Sequence, residues 1–184
     1  MTDANELTDA DQVALRGFFR HHFQDRVAFN KACGVRITAW QGDDATFELD
    51  LRDDLTAHPG VFHGGVVSAL IDTAGTGAVV AGHDFTRGSR VTTVSLAVNY
   101  LSVAPGEGIV AEARCTRRGR SNHYAEVHVY GVASRKLVAQ GLVTCNITGV
   151  RDGFDQILAA ARRGTTSPGT IGASSLAQNA ADTL

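Results

Sequence analysis

A single acid, Asp72, lies inside an otherwise apolar run over residues 66–81. A charged group in such surroundings costs several kcal/mol unless it is partnered or used, and an ionised carboxylate there can act as a general base or a nucleophile. Immediately ahead of the run stand His63, Gly64 and Gly65. Glycines at a helix start leave backbone N–H groups bare, and with the helix dipole these can hold a developing oxyanion. The same residues also fit a tight turn with His63 bonded to nearby backbone, and a buried Asp tied to Thr or backbone groups. Three and four positions from Asp72 on a helix are Ser68, Ala69, Gly75 and Thr76, a narrow small-residue face opposite Val67, Leu70, Ile71 and Ala74. A substrate or a second subunit could reach the acid along that face.

The elements around this run decide what it can do. Thr8 caps a predicted helix to about residue 31, with Leu15, Phe18, Phe19, His22 and Phe23 at spacings of three and four. From Val35 the period becomes two. Val35, Ile37 and Ala39, then Ala45, Phe47, Leu49 and Leu51, form two strands joined at Gly42-Asp43-Asp44. A loop over residues 52–62 leads to the apolar helix, and four strands follow it, carried by Val94, Leu96, Val98 and Tyr100; by Ile109, Ala111, Ala113 and Cys115; by Ala125, Val127 and Val129; and by Leu137, Ala139, Val143, Cys145 and Ile147. Pro105-Gly106, Arg118-Gly119-Arg120 and Ala133-Ser134 sit where meander turns belong. This order predicts an α+β fold, an antiparallel sheet wrapped on one long central helix. A short helix over 154–163 precedes a Gly-, Ser-, Thr- and Ala-rich tail, residues 164–184, expected to be mobile. The organisation is thus an N-terminal helical segment (1–32), a central domain (33–150) and a C-terminal helix with tail (151–184).

Composition narrows the partners. At 184 residues and 43% hydrophobic content the chain can bury one substantial core. A formal charge of −2 gives no basic field, so neither nucleic acid nor an anionic membrane is expected as a partner. Residues 66–81 fall short of the ~20 that span a bilayer, and no secretory signal is readable at the N-terminus, which points to a cytoplasmic location. Cys33, Cys115 and Cys145 are odd in number and far apart, as reduced core residues would be. His21-His22 and His123 with His128 are read as helix and strand surface rather than as metal ligands, so no metal and no cofactor is expected. Gly75-Thr76-Gly77 does not make a dinucleotide loop, because Val80 stands where a third glycine belongs. These glycines instead permit close backbone approach, to the sheet or to a partner subunit. Serine-hydrolase, Walker and zinc-protease motifs do not occur.

The segment His58-Pro59-Gly60-Val61-Phe62-His63-Gly64-Gly65, then Leu70-Ile71-Asp72-Thr73-Ala74, then Thr93-Val94-Ser95-Leu96-Ala97-Val98-Asn99-Tyr100-Leu101 resembles the hotdog-fold acyl-CoA thioesterases of the phenylacetate-degradation type. The resemblance runs from about Cys33 to Ile147 and implies hydrolysis of an acyl-CoA thioester at sites between protomers of a homodimer or homotetramer. It implies that Asp72 is the base or nucleophile, that the Gly65 N–H polarises the thioester carbonyl, that His63 shapes the loop, and that Gly64 lines the substrate. It further implies that the Thr93 hydroxyl helps hold the attacking water, although strand alternation puts Thr93 opposite Val94, Leu96 and Val98 unless a bulge or an end-of-strand twist intervenes. Where many relatives carry Asn ahead of the glycines, this chain has His58, whose imidazole at that place would bond the carbonyl or the water. The family's Pro-Ala after the Tyr strand is displaced to Ala104-Pro105. CoA phosphates call for local cations, and Arg118 and Arg120, clustered with Arg114 and Arg117 around Gly119, are the first candidates, with Arg135 and Lys136 second. A hotdog enoyl-CoA hydratase and a non-catalytic acyl-CoA binding module are the alternatives.

Overall fold

The computed structural model describes residues 7–165. Most of the tail expected to be mobile, beyond Thr165, lies outside the described residues. Helix α1 (Asp9–His21) opens with Thr8 and Asp11 in a reciprocal capping box, as the cap at Thr8 anticipates. The single helix expected to residue 31 is broken. A π turn (His22–Arg26) and an extended Val27 separate α1 from α2 (Ala28–Cys33). The break carries the chain between two apolar clusters, with Phe19 stacked on Phe85 and Phe23 packed on Trp40. Asn30 Nδ2 then donates to the Phe23 carbonyl left without a helical partner (2.9 Å).

Strands β1 (Arg36–Gln41) and β2 (Asp44–Leu49) form the expected hairpin. The stretch read as a loop is structured. After a 3₁₀ turn (Asp53–Leu55), β3 (Thr56–His58) pairs with β4 (Val61–Phe62) in a separate two-stranded ribbon, a pairing too short for strand periodicity to reveal. Helix α3 (Gly64–Ala81) follows, then β5 (Arg90–Tyr100), β6 (Ile109–Arg118), β7 (Asn122–Gly131), β8 (Leu137–Thr148) and helix α4 (Phe154–Arg162). The main sheet is antiparallel throughout in the order β1-β2-β6-β7-β8-β5, leaving β1 and β5 at its edges.

The sheet wraps α3, which packs on β2, β6, β7 and β8 through Val67, Leu70, Ile71, Ala74 and Ala78. Gly75 and Gly77 settle the question of close approach in favour of the sheet. A Cβ on Gly75 would lie 2.5 Å from Val143 Cγ2, and one on Gly77 would lie 2.6 Å from the Phe47 ring. Cys33, Cys115 and Cys145 are buried free thiols. At the far end of α3 a second cluster joins Leu15, Phe18 and Phe19 of α1 to Phe154, Ile157 and Leu158 of α4, around Val80 and Phe85. Arg162 closes it with a bidentate pair to buried Asp11 (2.7 and 2.9 Å), which holds that carboxyl well below the usual range. The segments before and after the sheet therefore share one core.

Candidate functional site

Helix α3 starts where β4 ends, and His63 is its N-cap. His63 N–H donates to the Leu55 carbonyl (2.9 Å), fixing the loop, while its Nδ1 accepts from Gly65 N–H (2.9 Å). The expected oxyanion donor is thus engaged by the neighbouring imidazole, which must carry its proton on Nε2 for Nδ1 to accept. Only glycine fits at 65 with this cap in place, since a Cβ there would stand 2.9 Å from His63 Nδ1. Tyr100 Oη donates to the Gly64 carbonyl (3.0 Å) and also bonds Ser68 Oγ, so the end of β5 holds the first turn of α3.

One face of α3 is left partly open by the sheet. Gly65 is exposed, and Val66, Ser68, Ala69, Asp72, Thr73 and Thr76 are half-buried, while the other residues between them are buried in the core. The open face keeps Ser68, Ala69 and Thr76 of the small-residue face read from the sequence, but Gly75 is buried against the sheet and Thr73 takes its place; Asp72 stands in the middle. Its Oδ1 accepts from Thr93 Oγ1 at 2.8 Å. Thr93 faces the helix because the β5–β8 register shifts between Thr93 and Ser95, with Thr93 opposite Cys145 and Ser95 opposite Thr144. Of the bulge or end-of-strand twist that alternation called for, the strand has the bulge, at Val94. Thr76, one helical turn beyond Asp72, bonds Thr93 Oγ1 (3.2 Å) and Cys145 Sγ (3.4 Å). Neither Thr76 nor Cys145 was assigned to the site by sequence, although a hydroxyl four residues after a helical acid was a signal for the former.

The remaining expected residues fall elsewhere. His58 is exposed at the end of β3. Arg118 does not offer its guanidinium to a ligand: Nε and Nη2 hold Asp43 (2.8 and 2.7 Å), while Nη1 and Nη2 donate to the Val79 and Ala78 carbonyls (2.7 and 3.3 Å). It closes the C-terminal end of α3, correcting its assignment to phosphate. A turn of exposed cations in sequence cannot reveal that one of them reaches a helix end 39 residues away. Arg114 pairs with Asp44 and Arg135 with Glu112, whereas Arg120 stays exposed. Sequence reading passed over His83 and set His123 with His128 on strand surface, whereas His123 is buried and its ring meets that of His83 edge to face at 5.5 Å in the interior beside Arg118. His83 Nε2 bonds the Gly88 carbonyl, and His123 Nδ1 has no hydrogen-bond partner among the described residues. Burial pushes both imidazoles down to about 4, and for His123 the His83 ring adds to the effect.

Residues 59–137 match the family model of the thioesterase superfamily. The chain is 30% identical over 95 residues to human acyl-coenzyme A thioesterase 13, a stretch that is 51% of this chain and 66% of that protein, just under two thirds of its length. Two solved structures share the fold. Zebrafish thioesterase superfamily member 2 superposes with a TM-score of 0.60 at 24% identity, over 70% of this chain and 95% of its own. The PaaI protein from the phenylacetic acid degradation operon of E. coli gives 0.64 at 18%, over 75% and 99%.

Proposed function

From a chain that matches the thioesterase superfamily model over residues 59–137 and carries a hotdog fold, we propose a member of that superfamily, an acyl-CoA thioesterase in which Asp72 is the reactive carboxylate. The observation that carries this reading is the placement of Asp72: half-buried in the open face of α3, with one oxygen held by Thr93 and an apolar core behind it. As general base it takes a proton from water while the water oxygen bonds to the thioester carbonyl carbon. The C–S bond then breaks and the thiolate leaves as CoA after taking a proton. As nucleophile the same carboxylate attacks first, and water opens the resulting anhydride.

The carbonyl oxygen needs donors as charge develops on it. Gly65 N–H is the proposed donor, and a bound carbonyl takes it over by displacing the His63 ring from its cap. Seven residues of helix rise separate Gly65 from Asp72, about 10 Å, whereas both groups must lie within about 3 Å of one reacting centre. One protomer therefore cannot supply both to the same carbonyl. We propose a homodimer or a dimer-built tetramer in which Gly65 of one helix faces Asp72 of another. The β5 edge supports this: over its 11 residues no strand among the described residues pairs with it on the side away from β8, and Val94 and Tyr100 are more than half exposed. Arg120, and not Arg118, is the residue of the Gly119 turn proposed for the CoA phosphates.

The test is thiol release from a panel of acyl-CoAs by wild type and by Asp72→Ala. Release by wild type and its loss in the variant support the reading. Tight acyl-CoA binding without release by either protein would make the chain a binding module, and hydration of an enoyl-CoA with no thiol released would make it a hydratase.

A further inference from the structure

We propose that Thr76 and Cys145 are positioning residues for Asp72, the outer links of a one-way chain of hydrogen-bond donors that grips Oδ1 and leaves Oδ2 to react. The inference rests on the reading of Asp72 as the reactive carboxylate. Three contacts connect four side chains: Thr93 Oγ1 to Asp72 Oδ1 (2.8 Å), Thr76 Oγ1 to Thr93 Oγ1 (3.2 Å), and Thr76 Oγ1 to Cys145 Sγ (3.4 Å).

The direction follows from counting protons. An ionised carboxylate only accepts, so the single hydroxyl proton of Thr93 goes to Asp72. Thr93 then has none left for Thr76, and Thr76 must donate to Thr93. With its own proton so placed, Thr76 can only accept from sulfur, and Cys145 must be the S–H that starts the chain. Burial favours that state, because Cys145 is fully buried and desolvation pushes its thiol up, keeping it protonated. The order is Cys145 S–H to Thr76 O–H to Thr93 O–H to Asp72.

The fold assembles this chain from two directions. Thr76 lies one turn from Asp72 on α3, and Thr93 and Cys145 are cross-strand partners on β5 and β8. Helix and sheet thus meet at the two hydroxyls. Each link polarises the next, so the carboxylate oxygen facing the core is fixed in place and charge, and rotation about the Cβ–Cγ bond that would exchange the two oxygens is opposed.

Thr76→Val removes the middle link with little change in shape. It should lower kcat about 5-fold, the factor expected for one neutral hydrogen bond, leave KM for acyl-CoA nearly unchanged, and move the acid limb of the pH–rate profile to higher pH. Thr76→Ser should restore both kcat and the profile. A second measurement does not depend on turnover: the S–H stretching band of Cys145, assigned by difference against Cys145→Ser, should shift to higher wavenumber in Thr76→Val as the thiol loses its acceptor. An active enzyme whose kcat and pH profile are untouched by Thr76→Val, or a thiol band that does not move, overturns this inference and leaves the thioesterase reading intact. Absence of thiol release by the wild type, or full activity of Asp72→Ala, overturns that reading and the positioning role with it.

Discussion

The two ends of α3 are built in opposite ways. At its N-terminus the helix is capped by one imidazole nitrogen, flanked by glycines, and held through hydroxyl contacts from Tyr100 and Ser68 that are open to solvent. At its C-terminus the last carbonyls receive a guanidinium that also pairs with Asp43, Gly82 lies tight against the Gly42 carbonyl, and Phe85, His83 and the α1–α4 cluster close over it. The same helix is therefore loosely finished where a ligand's carbonyl would need its N–H groups and firmly tied where none would come. On the proposed reading, fewer contacts oppose opening at the N-terminal end of the helix than at its C-terminal end. Asp72 sits between the two, held by neighbours on the sheet.

Four experiments would sharpen or break this contrast. The largest effect is expected in the middle: Asp72→Asn should reduce turnover by at least ~10²-fold while the melting temperature stays within a few degrees of wild type. A collapse of stability instead would place Asp72 with the anchor. Arg118→Ala should do the reverse, costing about 2 kcal/mol in a denaturant titration as two helix carbonyls and Asp43 lose their partner, with KM for acyl-CoA unaltered in the protein that remains folded. A raised KM with unchanged stability would return Arg118 to the phosphate.

The third concerns pH at the anchored end. His83 and His123 are held near 4 by burial, facing Arg118, Arg87 and Asp84, while an unfolded histidine titrates near 6.5. Between those values the unfolded chain binds more protons than the folded one, so stability is full above about 6.5 and falls as the pH drops toward 4, by up to ~1.4 kcal/mol per pH unit for each histidine. Denaturation midpoints from pH 7 to 4.5 should show this slope in wild type and a shallower one in His123→Gln. Equal slopes would remove the pair from the acid response. The smallest effect belongs to the loose end: His63→Ala should cost about 1 kcal/mol for the lost cap, and His63→Asn less, because an amide oxygen can still accept from the helix start.

Much of this was legible because it depends on local pattern. Period-two runs gave the strands of the main sheet, and the lone acid in an apolar helix pointed to Asp72. The conflict between Thr93 and its strand's alternation called for a bulge or an end-of-strand twist, and the ladder has the bulge. What stayed hidden depends on contacts remote in the chain. Arg118 reads as one more exposed arginine until its reach to Ala78 and Val79 is seen. His83 and His123 lie 5.5 Å apart in space on segments that no periodicity connects. The β3–β4 ribbon and the break after α1 were missed for a related reason, since a two-residue strand and a π turn are set by what they pack against rather than by their own residue types.

The extra residue at Val94 bears on how this site could vary among related chains. Thr93 and Ser95 face opposite sides of the sheet although two positions separate them, because the ladder counts only one step there. Deleting Val94 would restore plain alternation between Thr93 and Ser95 and still leave Thr93 facing inward. The motif is spelled by rungs of the ladder rather than by distance along the chain. Two lineages that differ by one residue between this threonine and the rest of its strand can thus present the same hydroxyl to the same acid, while a fixed spacing would recognise only one of them.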